Sequence, residues 1–260
     1  MSGLVDGRVV IITGAGRGIG RAHALALLPR APRSSSTTSV RVPTVPRPVR
    51  VRPSRLSRRS IAAGGQAVVN GDDVADWAGA ENLIKTAIDT FGGLDVLVNN
   101  AGFLRDRMLV GMSEGEWDAV IRVHLKGTSR RCVTLLPTGA LRPRQARPST
   151  HASSTPVRVQ DCKVRSARAA AELKNYGVSV NAIAPAARTR MTVGAGGAMA
   201  ESMAAPEEGF DAMAPENISP LVVWLGSAEV QGRHGAGVRG RGRKDHRRGG
   251  LASRPERGQG

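Results

Sequence analysis

One segment constrains this chain more than any other. Arg8-Val9-Val10-Ile11-Ile12 is a short apolar, β-branched run, the pattern of a strand buried on both faces of a parallel sheet. Thr13-Gly14-Ala15-Gly16-Arg17-Gly18-Ile19-Gly20 follows at once. A helix pattern then begins, with Ile19, Ala22, Ala26 and Leu27 among its apolar positions. Strand, glycine turn and helix in that order form the context that a dinucleotide fingerprint requires. Glycines allow the tight turn and let backbone N–H groups approach a pyrophosphate, and the helix N-terminus adds partial positive charge. A glycine pattern alone also fits a purely structural turn; the flanking strand and helix favour the nucleotide reading.

The same alternation continues downstream. Ala67 to Asn70 reads as a strand, followed by Gly71-Asp72-Asp73-Val74 at loop position. Asp72 and Asp73 also fit a solvated loop or a helix cap, and Asp76 is placed to cap the next helix, Trp77 to Phe91. That helix turns Leu83, Ile84, Ala87 and Ile88 inward and stops at Gly92-Gly93. Leu94 to Val98 is a further apolar strand, closing on Asn99-Asn100-Ala101-Gly102. Glu116 to Lys126 reads as a helix with Trp117, Val120, Ile121 and Leu125 inward. Val178 to Ile183 is a strand ending at Pro185, and Pro220 to Leu225 a buried helical segment. The pattern predicts an α/β, Rossmann-like, doubly wound parallel sheet in a single domain over residues 1–228.

Charge divides the chain differently. Of 260 residues, 38 are Lys or Arg and 21 Asp or Glu, a net +17. Residues 29–60 carry nine Arg and no acid, 128–168 carry +8, and 229–260 carry +6, so the remaining 155 residues carry −6. The first stretch holds six Pro and seven Ser, spacing that predicts neither helix nor strand. The Gly/Arg-rich tail, 229–260, reads as disordered by composition. Phe, Tyr and Trp are absent from all three stretches, which argues against base stacking. A basic nucleic-acid-binding protein therefore remains an alternative carried by charge alone, and specific nucleic-acid recognition is not expected. Aromatics are 3% of the chain, so the core is aliphatic; two cysteines, Cys132 and Cys162, form neither a disulfide scaffold nor a metal pattern. With no long apolar run and no basic-then-apolar leader, no membrane partner and a cytoplasmic location are expected.

Thr13 to Gly20 resembles the TGxxxGxG turn of short-chain dehydrogenases/reductases, and Asn99-Asn100-Ala101-Gly102 matches their NNAG motif at family spacing. Asp73-Val74 looks like the family's adenine-contacting segment. Asn181 to Pro185 with Thr189 to Thr192 is similar to its nicotinamide-side loop. The resemblance covers residues 1–28, 61–127 and 169–228. It implies an NAD or NADP cofactor held by Thr13, Gly14, Arg17, Gly18, Ile19, Gly20, Asp73, Val74, Asn100, Ala101 and Gly102, and a homo-oligomer. Phe103 to Met108 and Arg122 to Gly127 look more narrowly like the (3R)-hydroxyacyl-CoA dehydrogenase unit of multifunctional β-oxidation enzymes and their bacterial relatives. The implied substrate is a secondary alcohol or ketone, with a 3-hydroxyacyl thioester as the finer expectation. That subgroup has His where other members have Asn, as here at His124, which equally fits a helix-end packing residue.

The family's chemistry needs a Tyr to move the alcohol proton, a Lys four residues later to lower its pKa, and a Ser to orient the substrate oxygen. The sole tyrosine, Tyr176, is followed four residues later by Val180 and enters a strand, so it reads as a turn residue. No Tyr occurs in 128–168, where the pair belongs, and Ser153 and Ser154 are only remnants of the serine region. No catalytic residue and no metal ligand is assigned. A non-catalytic nucleotide binder is the second alternative. The first basic stretch takes the place of the second strand, whose terminal residue chooses between NAD and NADP, and the last takes the place of a glycine-rich final strand. Arg, Pro, Ser and Gly are what GC-rich codons yield out of frame, so the three stretches read as shifted-frame translation. Lost strands would leave a poorly soluble or molten chain.

Overall fold

A computed structural model of the chain describes residues 4–5, 7–27, 37–40, 66–105, 109–135, 147–152, 169–173, 178–194, 201, 203–227 and 237–240. In chain order these give strand β1 (Val10–Thr13), helix α1 (Gly18–Leu27), β2 (Thr37–Val40), β3 (Val69–Asn70), α2 (Trp77–Phe91), β4 (Val96–Asn99) and α3 (Glu114–Ile121). A π turn (Arg122–Lys126) runs α3 into α4 (Gly127–Leu135). Then come β5 (Arg147–Ala152), β6 (Val180–Pro185), the short α5 (Arg190–Val193), α6 (Ser219–Leu225) and β7 (Gly237–Gly240). All paired strands are parallel, in the order β3-β2-β1-β4-β5-β6-β7. The chain order runs outward from β1 in one direction and from β4 in the other. Between them lies the topological switch point, where ligands of open α/β sheets bind.

The expected doubly wound sheet is therefore present. Alternate residues of β1 and β4 face opposite cores. Val10, Ile12, Val96 and Val98 pack with Ala24 and Leu27 of α1 and with Val222, Val223 and Leu225 of α6. Ile11 and Leu97 pack with Leu83, Ile84 and Ala87 of α2. Asp95, fully buried, accepts from the Val9 N–H at 2.8 Å and locks the lower ends of β1 and β4 together. Asp76 caps α2 through the Gly79 N–H, and the Gly92 N–H closes its end on the Ile88 carbonyl, both as expected.

The basic stretches depart from expectation. Each supplies a strand: β2 in the first, β5 in the second, β7 in the third. Strand pairing uses backbone groups, which any residue but Pro carries in full. β2 is Thr-Thr-Ser-Val, a β-favouring run in the Pro-free window between Pro32 and Pro43. β5 contains Pro148, and its register with β4 skips from Val96↔Arg147 to Leu97↔Ser149. Pro148 falls at that irregularity, where its missing N–H is tolerated. The premise of missing strands thus does not hold, and the expectation that 229–260 carries no regular structure is corrected over 237–240.

Two finer expectations also change. Trp117 is 40% exposed, because α3 buries none of its residues; the inward side chains are Val123 and His124 of the π turn that follows. Ala26 faces outward on α1.

Candidate functional site

The carboxyl ends of β1 and β4 meet through Thr13. Its Oγ1 donates to the Val98 carbonyl (3.2 Å) and accepts from the N–H groups of Asn100 (3.0 Å) and Ala101 (2.9 Å). The Asn100 side-chain amide donates to the Thr13 carbonyl at 2.9 Å. A single buried hydroxyl therefore sets where the second motif stands relative to the first.

The glycines explain the closeness. Gly14 has φ 70°, and a Cβ there would lie 3.0 Å from the Ala101 Cα. A Cβ on Gly20 would overlap the Asn100 amide and the Gly14 carbonyl. Any side chain at either position would part the two motifs. Gly16, Arg17 and Gly18 are exposed, Ile19 is half-buried, and α1 carries no acidic residue in its first turn. The turn thus presents open backbone and a helix N-terminus with no carboxylate to repel an anion, an arrangement that fits a pyrophosphate.

Two further segments border this turn. Gly18 lies against Thr189, whose Cγ2 would be 3.6 Å from a Cβ at Gly18. The loop after β6 therefore closes on the glycine turn. Thr189 caps α5 in a reciprocal box with Thr192. Arg188 pairs with Asp211 and donates to the Met203 carbonyl at 3.3 Å, fastening residues 203–213 to this loop.

On the other side stands the loop after β3. Asp73 Oδ1 accepts from the Ala75 N–H (2.8 Å), and Oδ2 pairs with Arg122 at 2.6 Å. Its carboxylate is half-exposed and already holds the local turn. Val74, expected among the cofactor contacts, is 1% exposed and belongs to the core between α2 and the sheet. Its side chain is not available to a ligand; its carbonyl is bound by Arg131 at 3.0 Å.

Gly102 rests directly on His124, and a Cβ there would overlap the imidazole ring. His124 Nε2 lies 2.9 Å from the Phe103 amide nitrogen and 3.0 Å from its carbonyl oxygen. Without its proton Nε2 accepts from the N–H; with it, Nε2 donates to the carbonyl. His124 is thus more than a helix-end packing residue: it supports the loop that carries Asn100 to Gly102. The Phe103 ring leans on the imidazole at 5.9 Å and has the Arg105 guanidinium over it at 4.8 Å.

The structure thus brings together Thr13, Gly14, Gly18, Gly20, Asn100 and Ala101, sets Gly102 on His124, and leaves Arg17 open at the mouth. Tyr176, Ser153, Ser154 and Cys162 lie outside the described residues. Arg131 was not singled out in the sequence; an Arg in a basic stretch gives no signal of burial. Among the described residues no group of three or more His, Cys, Asp or Glu side chains could hold a metal. No helix among them is long and apolar enough to cross a membrane.

Comparison with known proteins identifies the family and the fold. The family model for short chain dehydrogenase matches residues 8–146. The hydroxyacyl-CoA dehydrogenase ChsB1 of Mycobacterium tuberculosis is 34% identical over 250 residues, covering 88% of this chain and 76% of that protein. Mouse peroxisomal multifunctional enzyme type 2 is 33% identical over 85% of this chain, which spans only 30% of that enzyme. A short chain dehydrogenase from Mycobacterium avium superposes with a TM-score of 0.74 at 41% identity, over 99% of this chain and 90% of its own. A metagenomic blue fluorescent protein in complex with NADPH shares the fold, with a TM-score of 0.75 at 19% identity over 92% and 98% of the two chains.

Proposed function

The chain belongs to the short-chain dehydrogenase family, and from that premise we propose that it binds a nicotinamide dinucleotide across the ends of β1 and β4 without the family's tyrosine-assisted proton transfer. The observation that carries this reading is the Thr13 hydroxyl joining the glycine turn to Asn100 and Ala101 at the switch point. Thr13, Gly14, Arg17, Gly18, Ile19 and Gly20 would receive the pyrophosphate, and Asn100, Ala101 and Gly102 the ribose and nicotinamide side. Asp73 would face the adenine, with Val74 acting through its backbone. When bound, the cofactor supplies hydride transfer. The lineage substrate is a secondary alcohol or ketone, and a 3-hydroxyacyl thioester is its finer form, in keeping with the name of the mycobacterial hydroxyacyl-CoA dehydrogenase.

The residue after β2 supports a reading of coenzyme choice that the sequence pattern alone left open. The strand ends at Val40, and Arg41 comes next in a stretch with nine Arg and no acid. An acid at the end of the second strand holds a ribose 2′-OH, whereas an Arg accommodates a 2′-phosphate. NADPH is favoured over NADH. The absent Tyr-x-x-x-Lys is explained most simply by shifted-frame translation of 128–168, with the same origin for 29–60 and 229–260.

Titrating the full chain with NADPH and NADH, then assaying a 3-hydroxyacyl thioester and simple ketones, tests the reading. Saturable NADPH binding, weaker NADH binding and no turnover above the solution background are expected. If neither nucleotide binds, the reading is wrong. Turnover at an ordinary enzymatic rate, about 1 per second or faster, would show that another group moves the proton.

A further inference from the structure

The least expected side chain in the described residues is Arg131. It lies in the second basic stretch, on α4, and is 0% exposed. Its Nε donates to the Asn99 side-chain carbonyl at 2.5 Å, Nη1 to the Val74 backbone carbonyl at 3.0 Å and Nη2 to the Thr128 hydroxyl at 3.4 Å. None of these acceptors is charged. Burial pushes the guanidinium down to about 10, opposed by Cys132 and Asp73, so it stays a cation at neutral pH. A buried charge on neutral acceptors is poor value for stability; an apolar side chain of equal volume does as well or better.

What the fork does instead is connect. Asn99 ends β4, and its neighbour Asn100 is bonded to Thr13. Val74 belongs to the loop whose Asp73 is held by Arg122. One planar group therefore spans the β3–α2 loop and the end of β4, the two walls on either side of β1. We propose that Arg131 is a positioning residue that fixes the adenine-side loop, residues 71–75, to the NNAG segment, so that both halves of a dinucleotide meet a preset site. This rests on the nucleotide reading above. It requires a fork: Lys keeps the charge but cannot reach both carbonyls at once.

The test uses the full chain and the variants Arg131→Met and Arg131→Lys. Hydrogen exchange without nucleotide is the first readout. Exchange in 71–75 and 99–102 should speed together, at least several-fold, in both variants, while β1 and α2 keep their protection. The second readout is ADP-ribose affinity, which should weaken about tenfold in both variants while the melting temperature of Arg131→Met holds or rises. Unchanged exchange in both segments overturns the proposal, as does full recovery of affinity by Arg131→Lys. A lower melting temperature with unchanged affinity would mark Arg131 as a packing residue only. Should the unaltered chain not bind ADP-ribose, the nucleotide reading fails while the exchange data still decide what Arg131 holds. If Arg131→Met does not fold, Arg131→Lys carries both measurements.

Discussion

Lowering the pH from 7 to 4 should remove about 3 kcal/mol of stability through one side chain, His23. It is 1% exposed on the inner face of α1, with Nδ1 3.0 Å from the Ser219 hydroxyl at the start of α6. Burial lowers its pKa from 6.5 to about 4. Below pH 6.5 the unfolded chain takes up a proton at this residue that the folded chain refuses until about pH 4. Stability from neutral His23 is therefore fully present above pH 6.5 and drains away as the pH falls toward 4. The shift, at about 1.4 kcal/mol per pH unit, gives the 3 kcal/mol. In a domain of this size that corresponds to a fall in melting temperature on the order of 10 °C. Carboxylates titrate in the same range, so the informative quantity is the difference from His23→Leu/Ser219→Ala, which removes the titration without stranding the hydroxyl. Melting temperature followed from pH 7 to 4 should fall more steeply in the unaltered chain. Parallel curves would refute a neutral, buried His23.

Three other experiments probe the site and its supports. Gly102→Ala should cost about 1–3 kcal/mol by forcing the loop off the imidazole, and His124→Ala in the same chain should recover part of it; additive losses in a urea-unfolding cycle would show that the two do not collide. Asn181 is 1% exposed, and both polar atoms of its side chain lack a partner among the described residues, so Asn181→Leu should stabilise by about 1 kcal/mol, and a loss of that size would mean that the amide is satisfied in solution. Asp211→Asn removes the ion pair with Arg188, a partly exposed contact. It should change global stability by less than about 1 kcal/mol yet speed proteolysis within 203–213; an unchanged cleavage rate would show that the pair fastens nothing.

The parts of the fold legible in the sequence are those whose side chains do the specifying. β1 and β4 announce themselves because both faces are buried and every position before the last is apolar. α2 is readable from end to end, since its cap, its buried stripe and its terminal glycine are all local signals. The glycine turn is readable for a related reason: Gly14 and Gly20 are small because Asn100 and Ala101 occupy the space. β2, β5 and β7 were not legible because their role is backbone pairing, to which the hydrophobic pattern is blind. The Pro-free Thr-Thr-Ser-Val run was the one available cue. That the Val74 side chain lies in a core is not legible in the sequence, because a residue beside a binding segment and a residue within a core have the same apolar identity. His124 and Arg131 needed coordinates, since their partners are backbone and amide groups 21 to 57 residues away in sequence.

These failures fall on different sides of the site. The proposed cofactor cleft depends on contacts between segments of ordinary family sequence: Thr13 with Asn100, Gly18 with Thr189, Gly102 with His124. Each survives because both partners lie outside the basic stretches. The family's proton transfer depends on a Tyr, a Lys and a Ser; residues 128–168 hold no Tyr, and no backbone pairing can substitute for a phenol. A strand tolerates almost any sequence that offers N–H and C=O groups; a general acid tolerates almost none. On the shifted-frame reading, residues 128–168 still keep the sheet continuous at β5 while lacking the phenol that the family's chemistry needs. Arg131 shows the intermediate case: from within the second basic stretch, it meets Asn99 and Val74 outside that stretch as well as Thr128 inside it.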